Sequence, residues 1–181
     1  MQKENEEREK KPIPEILMFM LQQLNYKAHD KEAVLQCEES GSKVANLQGF
    51  LAGVREYKTN LRNNGWEFDI KYDGTEERKI PYFNDDGCSI ELFELRGLIS
   101  DIDELTDTAD WESFKELWQD AVDWKKDWLF FNSEKGRDLH FAKGWYEAMR
   151  TIDNTIERLH REFEEAEKKA AESLPFDDGE I

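Results

Sequence analysis

Five carboxylates recur at helical spacing between residues 112 and 127: Glu112, Glu116, Asp120, Asp123 and Asp127. On a helix, steps of three and four residues bring successive side chains onto one face about 5–6 Å apart, so these five form a stripe of negative charge. Asp101, Asp103, Glu104, Asp107 and Asp110 extend the acidic character upstream. Two chemistries are open to such a set. Carboxylates converging on one point hold a divalent cation. Carboxylates strung along a line present charge to a basic surface, at a spacing comparable with that of phosphates along a nucleic-acid strand. The ordinary alternative is the solvated face of an amphipathic helix. Against it, like charges four residues apart cost a helix about 0.2–0.5 kcal/mol per pair, so an uncompensated row asks for a reason.

The convergent chemistry has one candidate in the pairs Glu91-x-x-Glu94 and Asp120-x-x-Asp123. Their spacing resembles that of the all-α nucleoside triphosphate pyrophosphohydrolases, in which two helices each offer two acids to Mg²⁺. In that family the second motif opens on Glu, where this chain has Asp120. The resemblance implies a Mg²⁺-dependent nucleotide pyrophosphohydrolase built on Glu91, Glu94, Asp120 and Asp123. Glu157-x-x-His160 has the i,i+3 spacing of a di-iron bundle ligand pair, but such sites need the motif twice, and neither His29 nor His140 has a Glu three residues before it. His160 therefore reads as a surface histidine. Asn84-Asp85-Asp86-Gly87 lacks the oxygen positions of a Ca²⁺ loop and reads as a turn. There is no Gly-rich phosphate loop, no Gly-x-Ser-x-Gly and no Cys/His cluster with metal spacing.

Charge narrows the partners. The chain holds 25 Lys/Arg against 42 Asp/Glu, a formal net charge of −17. Residues 1–65 carry ten basic and ten acidic side chains, residues 66–132 seven and nineteen, and residues 133–181 eight and thirteen. The acidity is regional, which excludes gripping nucleic acid or an anionic membrane by phosphate neutralisation and favours a basic protein partner or plain solubility. With 38% hydrophobic residues, six Trp and eleven Phe, the 181 residues can build one core. A mean hydropathy of −0.87 requires those apolar residues to be gathered on faces. No apolar run approaches a membrane span, and the opening Met1-Gln2-Lys3-Glu4 lacks the apolar stretch of a signal peptide, so the expected compartment is the cytoplasm. Cys37 and Cys88 stand apart and read as reduced thiols.

The elements that must position the stripe follow from periodicity. Residues 1–11 read as a mobile charged arm. From Pro14, Ile16, Leu17, Met20, Leu21 and Leu24 mark a helix reaching about Tyr26. Asp30 reads as the N-cap of a second, long helix carrying Val34, Val44, Leu47, Leu51, Val54, Tyr57 and Leu61, with a weak point at Ser40-Gly41-Ser42 and a stop at Asn63-Asn64-Gly65. Period two then takes over: Trp66, Phe68, Ile70 and Tyr72 face one way, a turn falls at Asp73-Gly74, and Ile80 and Tyr82 form the return strand, an edge because of Pro81. Ser89 caps a helix ending near Leu105, and Thr108 or Asp110 caps the helix that carries the stripe and Trp111, Phe114, Trp118, Ala121/Val122, Trp124/Lys125 and Trp128. The last helix runs from Ser133 to about Leu174 on a coiled-coil-like seam of Ala142, Trp145, Met149, Ile152, Ile156, Leu159, Phe163, Ala166 and Ala170.

The expected fold is therefore α+β and mainly α: two long antiparallel helices, two shorter helices and a small antiparallel β-hairpin near residues 66–83, in one domain over 12–174, with a loose acidic tail at 175–181. Small size, acidic helices over residues 66–172 and the absence of a catalytic set resemble the inhibitor proteins of phages and mobile elements, including anti-CRISPR and other DNA-mimic proteins. That resemblance implies a non-enzymatic binding protein without metal or cofactor. It would act in the host-cell cytoplasm by occupying a basic nucleic-acid groove of an enzyme such as a CRISPR effector, with Glu112, Glu116, Asp120, Asp123 and Asp127 in the role of phosphates. The alternative from the seams alone is a helical adaptor that forms a homodimer.

Overall fold

The 37-residue helix Gly136–Glu172, about 55 Å long, is the element on which the others are laid. The computed structural model describes residues 9–38, 41–70, 91–132 and 136–174. In chain order its elements are β1 (Lys11–Pro12), α1 (Glu15–Gln36), α2 (Ser42–Asn63), β2 (Trp66–Glu67), α3 (Leu92–Thr106), α4 (Ala109–Asn132) and α5 (Gly136–Glu172). The chain is mainly helical, as its periodicity requires. Among the described residues no helix is long and apolar enough to cross a membrane.

The α5 seam is buried as its spacing predicts: Ala142, Trp145, Ala148, Met149, Ile152 and Leu159 are inside, Ile156, Phe163 and Ala166 pack against the core, and Ala170 is exposed beyond it. Helix α1 runs antiparallel to both of its neighbours: Lys58 of α2 donates to Asn25 Oδ1 at 2.6 Å, and Lys31 reaches Glu147 of α5 at 3.6 Å. Helices α3 and α4 lie head to tail along α5 and both run against it. Arg96 meets Glu167 at 3.1 Å and Asp103 meets His160 at 3.2 Å. Farther along, Lys115 pairs with Asp153 and the Trp118 indole N–H donates to the Met149 carbonyl at 2.8 Å.

This arrangement overturns the expected antiparallel pair of long helices. Gly49 lies against Phe141, and Gly53 against Trp145 and Ala148, so α2 and α5 run in the same direction. The cause is the α3–α4 junction, which continues the chain in one sense instead of reversing it; a single return then sends α5 back along α2. The contact between α2 and α5 is unusually close. A Cβ on Gly49 would sit 1.8 Å from the Phe141 carbonyl oxygen, and one on Gly144 1.9 Å from that of Asn46.

Two further expectations are corrected. Asp30 does not open a helix: α1 passes through it to Gln36, and the break falls at Gly41, whose φ of +107° suits glycine at the N-cap of α2. No proline or glycine stands between Glu15 and Gln36, and an exposed aspartate in mid-helix costs only a few tenths of a kcal/mol relative to a good helix former. Nor is the strand at Trp66 part of an antiparallel hairpin in what is described. It pairs in parallel with Lys11–Pro12, through Lys11 N–H to the Gly65 carbonyl at 2.9 Å and Ile13 N–H to that of Glu67 at 3.1 Å. Alternate residues of a strand face the same neighbour, so Pro12, which has no N–H, occupies the position whose N–H would point away from β2. The expected turn at Asp73-Gly74 and return strand at Ile80 and Tyr82 lie outside the described residues.

Candidate interaction face on the fourth helix

The stripe depends on how α4 starts and which way it is rolled. Thr108 settles the start: its hydroxyl donates to the Leu105 carbonyl at 2.7 Å and accepts from the Trp111 N–H at 3.1 Å, closing α3 and capping α4 with one side chain. Asn64, buried at the end of α2, donates its amide to the Asp110 carbonyl at 2.8 Å, and the Asp110 carboxylate pairs with Lys11. Trp111, Phe114, Trp118 and Val122 are buried and fix the roll. Phe114 is their centre, with ring centroids 5.2 Å from Tyr57, 5.8 Å from Trp66 and 5.3 Å from Trp111.

With that face inside, Glu112, Glu116, Asp120, Asp123 and Asp127 are all exposed. They span about 22 Å of helix. Asp123 accepts a 2.9 Å hydrogen bond from Gln119. Among the described residues no cation pairs with Glu112, Glu116, Asp120 or Asp127. Two of the lysines of α4 point elsewhere: Lys115 is drawn inward to Asp153, and Lys125 stands among aromatic rings of α4 and α5. Lys126 is exposed. Beside the stripe stands Trp124, 63% exposed, four residues after Asp120 and three before Asp127. Across on α5, the Tyr146 hydroxyl has its pKa raised by burial and by the negative charge of Asp123.

The convergent alternative does not assemble. Glu91 and Glu94 sit at the start of α3, which meets α5 near Glu167, while Asp120 and Asp123 follow Trp118, which meets α5 at Met149. About 27 Å of α5 separates those two contacts. Because α3 and α4 lie end to end, the two acid pairs cannot share one metal ion, and among the described residues no group of three or more ligating side chains gathers. His160 faces Asp103, on another helix, instead of forming a site with Glu157. A groove of about 510 Å³ between α1 and α5 mixes Lys27, Arg158 and Arg161 with Glu147 and Glu157, and so favours neither sign of ligand.

One cluster escaped the sequence reading. Lys125 Nζ lies 5.7 Å from the ring centroid of Trp124, 5.2 Å from Trp128, 5.3 Å from Phe141 and 5.1 Å from Trp145. Each half was visible as spacing, Trp124 and Trp128 at i,i+4 on one helix and Phe141 and Trp145 at i,i+4 on the next. Only the antiparallel packing of α4 on α5 brings them together. No protein-family model matches the chain, and no curated protein or solved structure is significantly similar to it.

Proposed function

We propose that the chain is a non-enzymatic acidic binding protein whose α4 face occupies a basic, nucleic-acid-binding surface of a partner protein and excludes the nucleic acid from it. One observation carries this reading: α4 sorts its charges by direction. All five carboxylates of the stripe face solvent while two of the three lysines of α4, Lys115 and Lys125, turn toward α5, leaving only Lys126 exposed near the end of the stripe. A face needed only for solubility gains from lysines interleaved with the acids, because each Glu–Lys pair at i,i+4 stabilises the helix. Here repulsion along the stripe is left standing, and it is relieved when a row of Lys or Arg approaches. Inhibition of a nuclease of CRISPR type, as in anti-CRISPR and DNA-mimic proteins, is the specific form this reading takes.

The test is competition. The immobilised protein is offered purified nucleic-acid enzymes with basic channels, at about 0.15 M and about 0.5 M salt, with and without duplex DNA. Capture that is lost at the higher salt, displaced by DNA, and abolished in a Glu116→Lys, Asp120→Lys, Asp123→Lys variant of unchanged helicity supports the reading. Capture unaffected by the triple substitution refutes the assignment of this face. The competing reading, a self-associating adaptor, is favoured by Phe93 and Leu174, 83% and 70% exposed near the free ends of α3 and α5. Sedimentation as a salt-resistant dimer with no response to basic partners would replace the first reading with that one.

A further inference from the structure

Lysine ammonium groups are strongly hydrated and have three N–H donors to satisfy. Lys125 is half-buried, and among the described residues no carboxylate or carbonyl lies within hydrogen-bond distance of its Nζ. What surrounds it instead is aromatic. Two rings of α4 and two of α5 stand within 6 Å of the nitrogen, Trp145 from the floor at 4% exposure and Trp124 from the rim at 63%. Burial lowers the pKa of Lys125, and the nearby Glu56 carboxylate opposes that shift. The site therefore offers π faces and one nearby carboxylate to a cation, but no acceptor within reach of its N–H groups among the described residues.

The cation that suits such a site has a spread charge and few or no N–H donors to strip of water. Ring faces attract it through their quadrupoles, and methyl groups in place of hydrogens bury apolar surface against Trp128, Phe141 and Trp145. We infer that Trp124, Trp128, Phe141 and Trp145 form a binding site for a methylated or quaternary ammonium group, whose place Lys125 holds in the free protein. Lys125 is tethered by its own flexible stem and leaves by rotating its side chain toward solvent, past the exposed Trp124. Its residence lowers the apparent affinity for an outside cation by the fraction of time that the site is filled. The inference does not depend on the α4 carboxylates docking a partner, and either can fail without the other.

The probes are tetramethylammonium chloride and a short neutral peptide bearing one trimethyllysine, with the same peptide carrying unmodified lysine as reference. Each is titrated into the full chain, read by tryptophan fluorescence, for wild type, Lys125→Ala and Lys125→Ser, both of which open the site. A saturable change is expected in the Lys125 variants, about tenfold tighter for a methylated probe than for the lysine peptide and about tenfold tighter than in wild type. Adding Trp128→Leu to either variant should abolish it with helicity retained. Response to tetramethylammonium alone identifies a small free cation as the ligand, and response to the peptide identifies a modified side chain. No saturable change with either probe in both opened variants, or one that Trp128→Leu leaves intact, overturns the inference.

Discussion

Replacing Gly144 by alanine tests the closest contact in the fold, the parallel crossing of α2 and α5. The added Cβ would lie 1.9 Å from the Asn46 carbonyl oxygen, 2.8 Å from the Phe50 nitrogen and 2.9 Å from the Asn46 carbonyl carbon, all backbone atoms that cannot rotate away. Restoring ordinary contact requires the helices to part by about 1.5 Å, and a gap of only 0.5–1 Å already forfeits roughly a quarter to a half of the dispersion attraction across it. Phe50, Val54, Tyr57, Trp145, Ala148 and Met149 are buried along α2 and α5 and lose packing together. Overpacking of this kind costs about 1–3 kcal/mol, more where backbone must move, while alanine returns about 1 kcal/mol of helix propensity. The expected net loss is about 1–2 kcal/mol, the upper part of that difference because the clash is with backbone, read as a lower urea midpoint at unchanged slope by far-ultraviolet circular dichroism. Gly97 is the control: it lies within α3 with nothing within 4 Å of its Cβ position, so Gly97→Ala should gain about 0.5–1 kcal/mol. If Gly144→Ala is as stable as wild type, or if the two substitutions shift stability in the same direction, the close crossing is not what holds α2 against α5.

Neutralising the middle of the stripe with Glu116→Gln and Asp120→Asn should raise stability at low salt by about 0.5–1 kcal/mol, with the gain shrinking in 1 M salt; a loss would mean that these carboxylates hold the fold together. Stability should also fall at alkaline pH through Tyr57. Its side chain is fully buried, and desolvation first, then the charge of Asp153, raises its pKa well above the ordinary tyrosine value. The neutral phenol is favoured in the folded state, so its contribution is complete below about pH 10, where the unfolded tyrosine titrates, and is lost as pH rises above it. Denaturation midpoints measured from pH 8 to 11 should fall less steeply in Tyr57→Phe, and equal slopes would remove Tyr57 as the cause.

Much of this architecture was legible because burial on one face leaves a period. The α5 seam, the buried side of α4 and the Ile16–Leu24 stripe of α1 each repeat at three and four, and each turns toward the core, Ala170 at the far end of the seam alone being exposed. What misled was chemistry that is locally sound but energetically small. Asp30 followed by Glu32 has the look of a helix start, yet the helix runs through both to Gln36, and the next one opens at Gly41 with a backbone conformation that other residues adopt only at a cost. Direction was not legible at all: α3 and α4 run the same way along α5 across the junction that Thr108 caps, and nothing in the spacing of either helix announces that. The alternation from Trp66 to Tyr72 pointed to a strand, but a strand's partner is a long-range fact, and Lys11 and Ile13 supply it from far up the chain. The stripe was readable from spacing alone. The ammonium site was not, since half of it belongs to each of two helices.

The fold can carry the stripe without strain on its stability, and that is why charge alone does not explain it. Four neighbouring repulsions at about 0.2–0.5 kcal/mol each amount to roughly 1–2 kcal/mol. Each of the buried Trp111, Phe114 and Trp118 contributes at least the roughly 1.5–3 kcal/mol typical of a large apolar side chain taken out of water. The inward face of α4 therefore secures the helix whatever the outer face carries, and the outer face is free to answer to something other than folding. A solvated face would be satisfied by any mixture of charges. This one is acidic at Glu112, Glu116, Asp120, Asp123 and Asp127, with Lys115 and Lys125 turned away. Lys115 and Lys125 gain their own contacts with α5 by turning inward, and the repulsion left along the stripe would be relieved by a cationic surface lying opposite, as the proposed function requires.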